Sequence, residues 1–310
     1  MNFLRESNEK CESVFTLINV YGASMMMFAN IIYLITYVLI SFMYAIIPGI
    51  CRRAYDKAVL SFLISQALLS IAVITVGHHM LCHKPLNRTA AAIVGLNIMT
   101  FTISGVLWLL VISFDVSSTI VRFRWVPASG AKGRDEVHKF RIYFCWVFFG
   151  TAIPVLLSTI LQFSPLPEDS IAKPNFHLYN VVNYRVIVHV VTVPTLTAVA
   201  SNVLFIYTTV KMFNIQKSTS VISENRKKKI KEKYFLYLKL YLLMDAPYIT
   251  GALGAIYEDL WLLKFIRIFQ PLIMLYAVLP RDVVLRIFSG GKKCSNKKIQ
   301  VAKKIVEEPA

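Results

Sequence analysis

The chain has 310 residues, 56% of them hydrophobic and 16% charged, with a formal net charge of +17 and a mean hydropathy of +0.57. A soluble domain carries about 25% charged residues, so this composition excludes an ordinary soluble globular fold. It also excludes a nucleic-acid binder, which gathers Lys and Arg on one folded face with aromatics interleaved; here they sit in gaps between long apolar stretches.

Residues 1–21 form a short tail whose polar start carries Arg5 and Lys10 and has no cleavable signal pattern. The first span is therefore expected to act as its own insertion signal. A bilayer core needs about 20 apolar helical residues, and the spacing predicts spans over 22–46, 58–77, 90–116, 142–163, 185–210, 234–256 and 262–279. Pro48 ends the first. Arg52, Arg53 and Lys57 fill the first gap. Lys84 and Arg88 lie in the second. The third holds Arg122, Arg124, Lys132, Arg134, Lys139 and Arg141, kept irregular by Pro127, Gly130 and Gly133. The fourth, irregular through Pro165, Pro167 and Pro174, holds only Lys173. The fifth is the most basic, with Lys211, Lys217, Arg226, Lys227, Lys228, Lys229, Lys231 and Lys233. A very short connection, 257–261, ties the last two spans.

Lys and Arg accumulate on the cytoplasmic side of membrane proteins. The alternation predicts an all-α membrane protein, a seven-transmembrane-helix bundle with its N-terminus outside. Residues 22–280 make up the bundle. Residues 281–310 form a cytoplasmic basic tail that opens with a short amphipathic helix, its Val284, Leu285 and Phe288 facing lipid. The expected location is the plasma membrane, as a multi-pass protein, with anionic inner-leaflet lipids as partners of the basic run 226–233.

Five cysteines make no disulfide framework. Cys11 and Cys82 fall outside and are the candidate disulfide; Cys145 falls within a helix, and Cys51 and Cys294 on the reducing side. Cys294 is a candidate for palmitoylation and Asn87, in Asn87-Arg88-Thr89, for glycosylation. No cysteine spacing of zinc type occurs, and no metal or cofactor is expected. Without paired acids, a metal set or an activated nucleophile in the spans, an enzyme is not expected. No internal repeat of the transporter kind stands out.

Several spans carry recognisable words. Residues 108–115, WLLVISFD from Trp108 to Asp115, resemble the WLxVISFD word of insect Methuselah-like receptors, relatives of the secretin/adhesion class of G-protein-coupled receptors. In the fifth span Val193 and Pro194, followed by ASNVLF at 200–205, are similar to that family's GP…ANxxLF. YLKLYLLM at 237–244 resembles LYLRLFxxM, and LPRDVVLR at 279–286 resembles the VLR word after the seventh span. The resemblance covers roughly residues 25–290. It implies a receptor that passes an extracellular signal to a heterotrimeric G protein, with Trp108, Asp115, Pro194 and Asn202 as packing or switch positions and a sixth helix that swings.

The departures are specific. The family's globular N-terminal domain has no counterpart in the short tail. The loop 164–184 has no cysteine, so the usual bridge to the top of the third helix is not expected, although Cys82 sits where its first half would be. Asp245 and Pro247 replace a Gly and a Trp in the sixth span, and Pro271 replaces a Gly in the seventh.

Charge within a span costs about 2.5–3.5 kcal/mol at mid-helix, which singles out Asp245, near the middle of the sixth. Pro247 beside it predicts a kink. Two readings stand for Asp245: a ligand anchor or switch, and a protonated or locally hydrogen-bonded structural residue. Gln270, at similar depth in the seventh span, is its expected partner. Arg267 shares a face with Gln270 and either joins a pocket or reaches out to Glu258 and Asp259. His189 is a packing residue or a ligand group. His189, Asp245, Tyr248, Arg267 and Gln270 form the candidate outer pocket. Asn97 and Asn202 are expected to make interhelical hydrogen bonds. Asp115 faces Arg52, Arg53 and Arg122, either as a salt bridge closing the resting state or as a solvated boundary charge. The rival functions are a seven-span chemosensory channel, which would place its N-terminus inside, and a membrane transporter.

Overall fold

The computed structural model describes residues 23–46, 54–81, 87–122, 132–167, 170, 172–176 and 184–217, with Tyr234, Phe235, Leu238, Tyr241, Met244, Asp245, Ile266, Phe269, Gln270 and Ile273. Five α-helices account for most of them: α1 (Ala23–Ile46), α2 (Ala54–Leu81), α3 (Arg88–Arg122), α4 (Lys132–Phe163) and α5 (Tyr184–Lys217). No strand occurs among the described residues. The described positions of the sixth and seventh predicted spans are all helical. Residues 234, 238, 241 and 245 share one helical face, as do 266, 269, 270 and 273. The rest of those two spans, the tail 1–21 and the segment 281–310 lie outside the described residues.

Among the described residues four helices contain stretches long and apolar enough to cross a bilayer: Ala54–His79, Arg88–Ser118, Glu136–Phe163 and Thr192–Asn214. α1 contributes a shorter apolar run, Phe28–Met43. α3 lies at the centre, packed on α2, α4 and α5, while α2 also meets α1 and α4. Ala54 and Ala58 are fully buried on α2 beside Phe62 and Leu63; small residues let helices approach closely in a bilayer. The outward faces are equally apolar. α4 exposes Phe148, Phe149, Ile153, Leu156 and Leu157, and α5 exposes Leu196, Val203, Ile206 and Phe213. A helix apolar on all sides suits lipid.

Many hydroxyl side chains inside these helices are satisfied locally. Ser61, Ser70, Thr100, Thr102, Thr159 and Thr197 each donate to the carbonyl four residues back, which hides the hydroxyl from hydrocarbon. Pro154 and Pro194 lie inside α4 and α5 without ending them.

The helices outrun the predicted spans mainly at the ends predicted to be cytoplasmic, here called inner. α4 starts at Lys132, ten residues before its predicted span, and α3 and α5 continue to Arg122 and Lys217. Hydropathy marks only the part that lipid requires; the charged continuation stays helical.

Candidate functional site

The words at 108–115, 200–205 and 237–244 meet in one buried layer. Ser113 on α3 donates to the carbonyl of Leu109 at 2.9 Å. Its hydroxyl lies 2.9 Å from that of Ser201 on α5, and Ser201 lies 2.7 Å from the hydroxyl of Tyr241. A hydroxyl carries one proton. With Ser113 committed to Leu109, the order of donation is Tyr241 to Ser201 to Ser113. Tyr241 also stacks flat on Phe205, with ring centroids 4.3 Å apart and 7° between planes. Toward the inner end, Thr209 hydrogen-bonds the Tyr234 hydroxyl. The α5 seam with the sixth segment thus joins 201, 205 and 209 to 241 and 234.

Asp245 follows Tyr241 by one helical turn and is 1% exposed. Among the described residues neither of its carboxylate oxygens has a hydrogen-bond partner. Asn202 is the amide beside it, yet the Asn202 Nδ2 donates to Ala198 O of its own helix at 3.0 Å. Asn202 thus bonds within α5 while lying against Asp245 of the sixth span, and its neighbour Ser201 carries hydroxyl bonds between helices. One expectation is corrected. Gln270, 3% exposed, does not pair with Asp245; its Oε1 accepts from the Tyr33 hydroxyl of α1 at 3.0 Å. Asn97 is exposed on α3 and makes no interhelical hydrogen bond among the described residues, because α3 buries the faces of Ala92, Met99 and Ile103 instead.

A second cluster closes the inner ends of α2, α3 and α4. Asp115 is 6% exposed. It forms an ion pair with Lys139 and accepts from the Tyr143 hydroxyl at 2.8 Å. It is therefore a buried, paired carboxylate with two partners on α4; Arg52, Arg53 and the Arg122 side chain lie outside the described residues. Glu136 Oε2 accepts from the backbone N–H of Ala54 at 2.7 Å; Ala54 opens α2, where unpaired amides and the helix dipole favour a carboxylate. Phe140 stacks on Trp108, 6.0 Å between centroids, and carries the Lys57 ammonium 5.5 Å above its ring. Glu136, Lys139, Phe140 and Tyr143 follow i, i+3, i+4, i+7, so one face of α4 grips both neighbours.

The opposite end is closed by the loop after α4. Lys173, 6% exposed, turns its ammonium onto Leu166 O at 3.1 Å. Asn175 is fully buried with φ 52°, a left-handed conformation that Asn tolerates better than most residues. The Phe176 N–H donates to Gln162 Oε1 at 3.4 Å. The Phe176 ring lies on Gly95 of α3, where an added Cβ would stand 2.8 Å from Phe176 Cβ, Cγ and Cδ1. This contact fastens a cysteine-free loop to the third helix. Gly95→Ala is expected to cost about 1–3 kcal/mol through overpacking, and Gly95→Ala with Phe176→Ala should recover part of the loss. Thermal unfolding of the three variants checks this. A double variant no better than Gly95→Ala would break the assignment.

Other candidate residues are placed as follows. Pro194 is buried in α5. His189 lies on α5, its side chain outside the described residues. Tyr248, Pro247, Arg267, Cys11, Cys82, Cys294 and the run of Arg226, Lys227, Lys228, Lys229, Lys231 and Lys233 also lie outside them. Asn87 is exposed and its carbonyl accepts from Ala91 N at 2.9 Å, the start of α3. Cys145 is a free, exposed thiol on α4. Among the described residues no group of three or more His, Cys, Asp or Glu side chains gathers to hold a metal.

No family model matches the chain. It is 25% identical over 224 residues to the G-protein coupled receptor Mth2 of Drosophila simulans, and 24% identical over 224 residues to that of Drosophila yakuba. Each match covers 67% of this chain and 39% of the relative, so the chain spans well under half the length of these receptors. With several apolar helices of crossing length, it is a multi-pass membrane protein. These matches support a distant, family-level relation between the chain and the insect Methuselah-like G-protein-coupled receptors.

Proposed function

We propose that this chain is a G-protein-coupled receptor of the plasma membrane, with seven spans and its N-terminus outside. The observation that supports this best is the convergence of the three family words on one hydroxyl layer, Ser113, Ser201 and Tyr241. An extracellular ligand, held by Asp245 with His189, Tyr248, Arg267 or Gln270, shifts the sixth helix against α3 and α5. That motion breaks and remakes the hydroxyl chain. Its bonds are weak enough to exchange, about 0.6 kcal/mol each in membranes. A heterotrimeric G protein reads the change at the inner ends, where 226–233 leads into the sixth helix and binds anionic lipid between signals. A ligand must supply several kcal/mol of differential affinity to move such a balance; Asp245, buried and not hydrogen-bonded among the described residues, is a group from which that differential can come.

The test is a second-messenger assay in cells, at matched surface expression, comparing the intact chain with Ser201→Ala/Tyr241→Phe and with the run 226–233 neutralised. Basal cyclic nucleotide or calcium should differ between the intact chain and the first variant, and coupling should fall in the second. Identical traces from all three and from cells without the protein would remove the receptor reading.

A further inference from the structure

We infer that Asp245 and the hydroxyl layer one helical turn away from it hold a small alkali-metal cation, of sodium size. Each hydroxyl of that layer carries one proton and two lone pairs, and the order of donation is fixed. Ser113 gives its proton to Leu109 O, Ser201 gives its own to Ser113, and Tyr241 gives its own to Ser201. Every proton of the layer thus runs away from Asp245. Tyr241 precedes Asp245 by four positions, the spacing of neighbours on a helix face. With its proton committed to Ser201, the phenolic oxygen has only lone pairs to offer the carboxylate. On the α5 side, the Tyr241–Asp245 turn meets Ser201 and Asn202, which are adjacent in sequence.

Electron-rich oxygens are gathered here without a counter-charge. Asp245 is 1% exposed, Tyr241 2% and Ser201 0%. Among the described residues neither carboxylate oxygen accepts a hydrogen bond, and no Lys or Arg forms an ion pair with it. The Asn202 amide lies beside the carboxylate, but it gives a proton to Ala198 O at 3.0 Å and carries no charge of its own. Buried charges are paired or coordinate metals, and a carboxylate facing lone pairs repels them unless a cation lies between. Hard oxygen donors select a hard cation. One carboxylate suits one positive charge, whereas a calcium site draws on several acidic and carbonyl ligands; among the described residues no group of three or more His, Cys, Asp or Glu gathers. Bound there, the ion fastens the sixth segment to α5 through Asp245, Tyr241 and Ser201. The assignment does not rest on the receptor reading, since such an ion binds whether or not the chain signals.

The test melts the purified full chain in detergent micelles while sodium chloride replaces choline chloride at constant ionic strength. An ion that binds only the folded chain raises its unfolding temperature by mass action. The intact chain should gain at least about 2 °C, and the gain should saturate. Asp245→Asn should lose that gain altogether and Ser201→Ala/Tyr241→Phe most of it, while Cys145→Ser, at an exposed position on α4, keeps it. The stability advantage of Asp245→Asn over the intact chain should then be largest in choline. The sodium NMR signal should relax faster with the intact chain than with Asp245→Asn, a direct reading of binding that holds if the double variant misfolds. Equal unfolding temperatures in sodium and choline, with equal relaxation, overturn the site and leave a proton or a side-chain cation as the neutralising group. A gain equally large in potassium, or one that Asp245→Asn retains, overturns it as a general salt effect. Neither result bears on the second-messenger comparison, which decides the receptor reading separately.

Discussion

Lys139→Ala is expected to destabilise the folded bundle by about 3 kcal/mol. Removing one partner of a buried ion pair costs about 3–5 kcal/mol, because the remaining charge stays in a poorly solvating interior. The side chain of Asp115 keeps only 8% of its surface in solvent, whereas that of Lys139 keeps 30%, which places the cost at the lower end. Asp115→Asn is expected to be milder, about 1–2 kcal/mol, since Lys139 can turn to water when its partner loses charge. Tyr143 still donates to the amide oxygen in that variant. The asymmetry between the two partners is itself the signature of a carboxylate that is the more deeply buried member. Thermal unfolding of the singles and the double variant measures it. Losses that simply add, within about 0.5 kcal/mol, would show that the two residues do not interact. If signalling opens the inner ends of α3 and α4, Lys139→Ala should also raise basal second messenger.

This ion pair also shows why part of the site was hidden in the sequence. The apolar cores of the described helices were legible, because lipid demands a continuous run and tolerates few interruptions. The inner extension of α4 was not. Hydropathy starts that span at residue 142, which leaves Glu136 and Lys139 in a loop; the helix starts at Lys132. Only on a helix do Glu136, Lys139, Phe140 and Tyr143 line up to reach Ala54, Asp115 and Trp108.

The polar layer within the bundle was misread for a different reason. In helices apolar on every side, periodicity does not reveal which side faces a neighbour. The amides of Asn97 and Asn202 therefore drew attention, while serines that bond back to their own helix looked unremarkable. The words of the family resemblance did contain Ser113, Ser201 and Tyr241, but only the fold shows that they touch. Gln270 meets α1 and not Asp245. Tyr33 of α1 reaches its Oε1, a pairing across 237 positions of sequence that no local pattern announces.

Asp245→Asn is expected to have the opposite sign to any change at Asp115. The Asp245 carboxylate is as deeply buried, but among the described residues neither oxygen is hydrogen-bonded. Its burial therefore costs free energy that the neighbouring Asn202 amide offsets only in part. Insertion scales place that cost at about 2.5–3.5 kcal/mol for an aspartate at the centre of a span. An isosteric amide removes the charge without opening a cavity, so Asp245→Asn should raise stability by about 1–3 kcal/mol. The gain should be visible as a higher unfolding temperature of the purified chain. A residue that destabilises its own fold persists where function needs the strain, so the same variant should lose its second-messenger response at equal surface expression. The two measurements separate the possible roles. A variant more stable and silent marks Asp245 as the ligand or switch group. A variant more stable and fully responsive leaves it a tolerated defect, and a variant less stable means that the carboxylate has a partner in the protein and the charge is structural.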